Sequence, residues 1–475
     1  MVEDQPIPEP MSNKPLVATR LDPQQAAFAA FSFFWAFANI THLWIQNGGR
    51  LDHPAAALNM AAAAWVLMNP TSVGRLAVLA STQIFDTVWV MPFAPDHQIL
   101  AASVNFVILL VGLAVLLRRS REGSQVATAL FYGSFSRAAR ILLLVGYSAA
   151  AIAKYNTAFF DTATSCAVFL ANTATYGLTE SVSGLGWFHI VASATAETVI
   201  PILLMIPATR RFGARFGMLF HFLVSLSPAV TVGDFTTTLF ALFLLFLAPE
   251  EIAAIVSDMQ ERFRKSLVGK TLLIHGTVPV VIAFALSASA SGYLVPSIDV
   301  GYLWVIVTWF GLSLLRAAWW TWSMRVARQP LAVRIPVAHL AVVALLFAWA
   351  LNPYLGYRTT SSFTMFSNLI TEGPGTNHLF LPSVHLVDYQ NDLIEPIAST
   401  NERLDVFAAD GQLVTVFEAQ RDLQADPGAT VLARRNGGPE LTYALDDLGD
   451  PPSGLLKKLW FFRWIPGAGD PQCTN

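Results

Sequence analysis

The sequence predicts a polytopic α-helical membrane protein of about 11 spans, N-terminus cytoplasmic, with a small extracytoplasmic β-rich domain at its C-terminal end. Three observations carry this. Of 475 residues, 54% are hydrophobic and 13% charged, with a mean hydropathy of +0.51; soluble domains carry about 25% charged residues. Apolar runs near the ~20 residues needed to cross a bilayer recur as far as residue 352. Beyond that point the composition shifts to Gly, Pro, Asp and Thr among short alternating runs.

Residues 1–23 form a polar, Pro-rich N-terminus without the basic-then-apolar pattern of a cleaved signal peptide, so the first span is expected to act as an uncleaved signal. The expected crossings lie near 24–45, 54–68, 73–92, 97–117, 137–155, 187–207, 212–231, 235–248, 271–293, 302–322 and 335–351. Residues 163–178 are apolar but broken by Asn172 and Thr173, which suits a re-entrant or interfacial helix better than a span.

Orientation follows from the basic loops. Arg118, Arg119, Arg121, Arg137 and Arg140 surround one; Arg210, Arg211 and Arg215 mark a second. Arg262, Arg264, Lys265 and Lys270 mark a third, and Arg325, Arg328 and Arg334 a fourth. With a cytoplasmic N-terminus (Lys14, Arg20), eleven crossings put all four on the cytoplasmic side and residues 353–475 outside. Within that outer domain, QLVTVFEA (412–419) and ATVLARR (429–435) read as strands. Membrane lipids are the expected surroundings. A net charge of -3 without a basic run excludes a nucleic-acid partner.

Cys166 and Cys473 are the two cysteines. Both are expected on the outer side, where a bridge persists, and closing so long a loop contributes on the order of 4 kcal/mol in the chain-entropy model. Two free thiols are the alternative.

Ionisable residues are costly in hydrocarbon and are functional candidates by default. Asp86, His97, Lys154, Glu197 and His221 all fall toward the outer leaflet in this topology. Singly, each has a structural reading, as a helix–helix hydrogen bond or an ion pair. Lys154 ends the run ILLLVGYSAAAIA, with Tyr155 and Asn156 behind it. It is either a snorkelling anchor or a buried amine tuned to act as a general base, with His97 orienting or relaying protons. A metal is not expected, because the histidines are scattered and no CxxC occurs. Phosphate-loop and GxSxG motifs are likewise missing.

Several segments carry a resemblance. AAIAKYNTAFFD resembles the active-site lysine segment of the vitamin K-dependent γ-carboxylases and of bacterial proteins sharing their HTTM membrane domain. PFAPDHQIL resembles that family's essential-histidine segment, and FHFLVS (220–225) its Phe-His helix. AETVIPILLMIPATRRFG resembles its Glu-then-Pro span, and SSFTMFSNLITEGPGTNHL (361–379) the Ser-x-x-Met segment opening its outer β-region. The likeness runs from about residue 20 to 420.

The resemblance implies that Lys154 deprotonates vitamin K hydroquinone, or another reduced quinone, with His97 in support. Oxygen and carbon dioxide are then co-substrates, and a secreted peptide or protein is modified outside. Asp86, Glu197, His221, Tyr155 and Asn156 are the candidates for the quinol pocket. The chain is shorter than the animal carboxylases and its lysine is single where they show a pair, so modifications other than carboxylation stay open. The competing expectation is a non-enzymatic HTTM protein, a peptide-maturation accessory or a proton-coupled transporter.

Overall fold

The structure is a computed structural model that describes residues 22–47, 53–118, 124–175, 177–180, 182–226, 232–268, 298–326, 331, 335–373, 375–466 and 473. Among the described residues, ten helices precede residue 270: α1 (Pro23–Asn47), α2 (Pro54–Met68), α3 (Val73–Val90), α4 (Asp96–Arg118), α5 (Ser124–Ala153), α6 (Cys166–Ala174), α7 (Leu185–Met205), α8 (Arg210–Val224), α9 (Gly233–Leu244) and α10 (Pro249–Val268). After them come α11 (Ile298–Trp320), α12 (Val337–Ala350) and the short α13 (Asn352–Leu355). The expected crossing at 271–293 lies outside the described residues.

Among the described residues, four helices are long and apolar enough to cross a membrane: residues 23–46, 96–117, 128–153 and 185–205. Gly233–Leu244, Pro54–Met68 and Val337–Ala350 are apolar but shorter. At 1.5 Å per residue they reach about 18–22 Å, less than the ~30 Å hydrocarbon core. Helix α6, of 9 residues, is shorter still. Large apolar side chains such as Trp65, Leu117, Trp320 and Leu345 point outward from the bundle, as lipid-facing surface does and soluble surface rarely does.

The bundle core is aromatic and aliphatic, built around Phe28, Phe31, Trp35, Phe131, Phe135 and Phe243. Helix α1 runs through its middle, packed on α9, α2 and α10. Close approach is bought with glycine: a Cβ at Gly217 of α8 would stand 2.4 Å from Phe243 of α9.

Two sequence expectations about charge need correction. Helix α5 starts at Ser124, so Arg137 and Arg140 lie inside a helix; Arg140 is buried and donates to the Leu245 carbonyl at 2.6 Å. Arg211 and Arg215 both donate to Glu251 Oε1, at 2.7 and 2.6 Å, and Arg215 and Glu251 are fully buried. A buried guanidinium needs such a partner. These arginines are therefore structural links as well as loop charges. Residues 249–268, read as a loop, form α10, which has Pro249 in its first turn with Glu250 and Glu251, and Lys265 in its last.

The C-terminal region carries an antiparallel sheet in the order β2-β1-β3-β4. Its strands are β1 (Leu393–Ser399), β2 (Val414–Thr415), β3 (Val431–Arg435) and β4 (Glu440–Tyr443), with α14 (Glu402–Ala409), α15 (Val416–Ala425) and α16 (Gly454–Leu459) alongside. ATVLARR supplies β3 as expected. QLVTVFEA does not form one strand: after Thr415 the chain turns into α15, because the Thr415 hydroxyl accepts from Glu418 N at 3.2 Å and caps the helix. Residues 356–373 and 375–390 lie between bundle and sheet and contain little regular structure.

The candidate functional site

The end of α5 and the residue after it place Leu143, Tyr147, Ala150 and Lys154 at helical spacing on one face, and that face lines a cavity of about 100 Å³. Asp96, His97 and Leu100 of α4, Ser193 and Glu197 of α7, Phe220 and His221 of α8, and Phe235 of α9 close its other sides. Most of the wall is apolar. Of the polar groups, Glu197 meets Lys154.

Lys154 follows the last residue of α5, and its Nζ lies 3.0 Å from Glu197 Oε2, with both side chains largely buried. It also donates to the Met365 carbonyl at 3.4 Å. Glu197 sits four residues before Pro201, whose missing N–H leaves the Glu197 carbonyl without its helical donor. The Tyr147 hydroxyl and His221 Nε2 pair at 2.9 Å across the cavity.

A strained loop covers this end of the bundle. Ser361, Phe363, Phe366 and Asn368 all have positive φ, between 52° and 61°, which costs about 1–3 kcal/mol per residue. The surroundings hold them there. Phe363 N donates to Asp96 Oδ1 at 2.7 Å, and Asn368 receives Cys166 N at 2.7 Å on its Oδ1 while its Nδ2 donates to the Thr164 carbonyl at 2.9 Å. Phe363, Met365 and Phe366 line the cavity. A Cβ at Gly146 would come within 2.9 Å of the Phe363 ring, so glycine lets the loop sit down on α5.

The expected residues divide in two. Lys154, His97, Glu197 and His221 meet at the cavity. Asp86, Tyr155 and Asn156 do not, and their place in a pocket is corrected. Asp86 accepts from Asn59 at 3.2 Å and faces His53, tying α3 to α2. The Tyr155 hydroxyl pairs with Thr198 Oγ1 at 2.8 Å. Asn156 is fully buried, donates to the Ala153 and Ser367 carbonyls, and forms a bridge with His378. Backbone bonds from Thr157 N to Asn377 O and from Leu379 N to Tyr155 O complete that clasp. Tyr155 and Asn156 therefore hold the chain that presents Lys154.

Cys166 and Cys473 form a disulfide with Cα atoms 4.7 Å apart, across 307 residues of sequence. The bridge ties the start of α6, next to the cavity, to the tail of the C-terminal region.

The sequence reading missed a second cluster beside the first. His42 Nδ1 of α1 and His97 Nε2 of α4 are 2.8 Å apart, and each is 3.2 Å from Asp234 Oδ2 of α9. All three residues are buried. The expectation that the histidines are too scattered for a ligand set fails here, because 192 residues separate His42 from Asp234. The available signal was a polar stripe, Asn39, His42 and Gln46, on the otherwise apolar α1; Gln46 Nε2 donates to Asp234 Oδ2 at 2.9 Å.

Fold and cavity together define a helical protein with membrane-length helices, a disulfide-tied C-terminal sheet region, and a lysine–carboxylate pair in an apolar chamber. No family model, curated protein or solved structure matches the chain.

Proposed function

We propose that the protein is a membrane enzyme of the vitamin K-dependent carboxylase (HTTM) type, which deprotonates a lipid quinol and couples its oxidation by oxygen to modification of an extracytoplasmic peptide or protein. The observation that carries this reading is the position of Lys154: an amine beside Glu197, in a chamber that His97 also lines and whose walls suit an apolar ring. In this reading eleven crossings put the N-terminus in the cytoplasm and the sheet domain outside.

Lys154 accepts the quinol's hydroxyl proton. To do so the amine must first be neutral, and Glu197 at 3.0 Å is the group that takes its resting proton. Two charges in a low-dielectric chamber are costly, so proton transfer within the pair removes both at once. Once the quinol proton arrives, Glu197 still holds the first proton, so the quinol anion itself balances the ammonium until Glu197 releases that proton. Carboxylation by carbon dioxide is the modification that the resemblance implies.

The direct test is extraction of the purified protein. Recovery of a bound quinone, and oxygen-dependent consumption of added reduced quinone, is the expected result. Neither bound quinone nor turnover, with uncoupled proton flux in vesicles instead, would favour the transporter reading.

A further inference from the structure

We infer that His42, His97 and Asp234 form a binding site for a divalent first-row transition metal ion, at the junction of α1, α4 and α9. The inference stands apart from the quinol reading, because it is read by metal content and not by turnover.

The three ligand atoms form a triangle with sides of 2.8, 3.2 and 3.2 Å. Its corners lie about 1.8 Å from its centre, so a point at metal-ligand distance, roughly 2.0–2.1 Å from each atom, stands about 1 Å above the plane. Ligands on one face of an octahedral ion are about 2.8–3.0 Å apart and on one face of a tetrahedral ion about 3.3–3.4 Å, which brackets these edges. The spacing matches without movement of any side chain, and all three residues belong to the metal-ligating types with ligand atoms converging.

Hydrogen bonding alone does not satisfy this triangle. Two protons at most are available, one per facing nitrogen. If both nitrogens carry one, two N–H groups oppose each other at 2.8 Å. If one carries it, the other nitrogen turns a lone pair toward the carboxylate at 3.2 Å. A cation satisfies all three edges, provided both histidines are protonated on their far nitrogens.

For His42 the surroundings favour that tautomer. The far nitrogen of His42, Nε2, lies 2.5 Å from the Gln98 amide, drawn with its nitrogen facing the ring, while Gln98 Oε1 is buried without a partner. Amide orientation is an assignment. Turning it gives Oε1 a donor and fixes the proton on Nε2, leaving Nδ1 free to ligate, as outer-shell partners do at metal sites. His97 Nδ1, the other far nitrogen, is likewise buried without a partner and is free to carry a proton.

Charge and space agree. Asp234 is a buried carboxylate whose ionic partners, among the described residues, are these two histidines. A void of about 10 Å³ lined by His42, His97, Gln98, Asn39, Gln83 and Thr238 adjoins the triangle, room for about one water as a further ligand. Two imidazoles and one carboxylate with open positions suit zinc or ferrous iron.

The test uses the full chain, purified in detergent, stripped with chelator and titrated with Co²⁺ as the spectroscopic probe. One equivalent should bind, with visible d–d absorption that Zn²⁺ displaces. Asp234→Asn and His42→Ala, each checked for a monodisperse elution peak, should weaken Co²⁺ binding by more than about 100-fold; Gln98→Leu should weaken it by about 10-fold. His189→Ala should leave it unchanged. Binding of less than about 0.1 equivalent by the wild type, or an unaltered spectrum in both ligand variants, would overturn the site.

Discussion

The Lys154 ammonium stands 3.0 Å from the Glu197 carboxylate, joining the end of α5 to the middle of α7 inside a largely apolar chamber. A snorkelling lysine reaches toward headgroups and water. This one is turned inward, onto a carboxylate.

If Lys154 serves as a base, Lys154→Arg and Lys154→Ala both abolish quinol turnover, because a guanidinium is not deprotonated in a protein. His97→Ala impairs turnover less completely. On stability, either single change, Lys154→Met or Glu197→Leu, strands a buried charge and costs about 3–5 kcal/mol, whereas the double variant recovers most of that loss. Oxygen-electrode assays and urea titrations read the two effects. Wild-type turnover in the arginine variant would make the lysine an anchor.

Topology is checked by reporter fusions. Fusions after residues 125 and 260 should report cytoplasm, and those after 355 the opposite side, by the basic-loop rule. An inverted pattern would defeat the eleven-span arrangement. The test has added weight because Arg140, Arg211 and Arg215 are held by protein partners.

The Cys166–Cys473 bridge predicts a cross-linked 166–473 peptide pair in non-reducing digests. Cys473→Ser should destabilise the packing of the C-terminal tail by about 2–4 kcal/mol. Limited proteolysis of the full chain should then release that tail sooner. Free-thiol labelling of both cysteines in unreduced wild-type protein would contradict the bridge.

Glu418 offers a pH prediction outside the bundle. Burial raises its carboxyl from 4.5 to about 7, outweighing Arg421 at 3.2 Å and the Phe462 amide at 3.0 Å. A group that holds its proton more tightly when folded stabilises fully below pH 4.5, and that contribution is lost as pH rises through about 7. Glu418→Gln keeps an acceptor and does not ionise. Pulse proteolysis of residues 393–465 should show wild-type stability falling between about pH 4 and about pH 7.5, on the order of 3 kcal/mol, with a flatter profile in the variant. Identical profiles would refute this account.

Some of this was readable from local pattern. Composition and run length marked the long apolar helices, since a membrane-length apolar stretch is a property of consecutive residues. The face Leu143, Tyr147, Ala150, Lys154 follows from helical spacing alone, and the change in composition after residue 352 announced the C-terminal region. Even the misread segment 412–419 held its own answer: Thr415 and Glu418 stand at capping-box spacing, a local signal that outweighed the alternating pattern.

Partnership between distant residues was a different matter. The chain separates His42 from His97 by 55 residues and His42 from Asp234 by 192, and no spacing rule spans such gaps. Periodicity says which face of a helix is buried but not which neighbour it meets. That choice was made when α1 packed against α9 and met α4 through Trp35–Asn105 and His42–His97, with side-chain volumes and glycines such as Gly217 and Gly146 setting how closely each element approaches. The same packing turned Asn156 from a pocket candidate into a clasp and gave Lys154 a carboxylate from α7. The sequence by itself determined the kinds of element and the chemistry available on them; only tertiary packing decided which groups share a site, because their encounter depends on contacts among elements far apart in the chain.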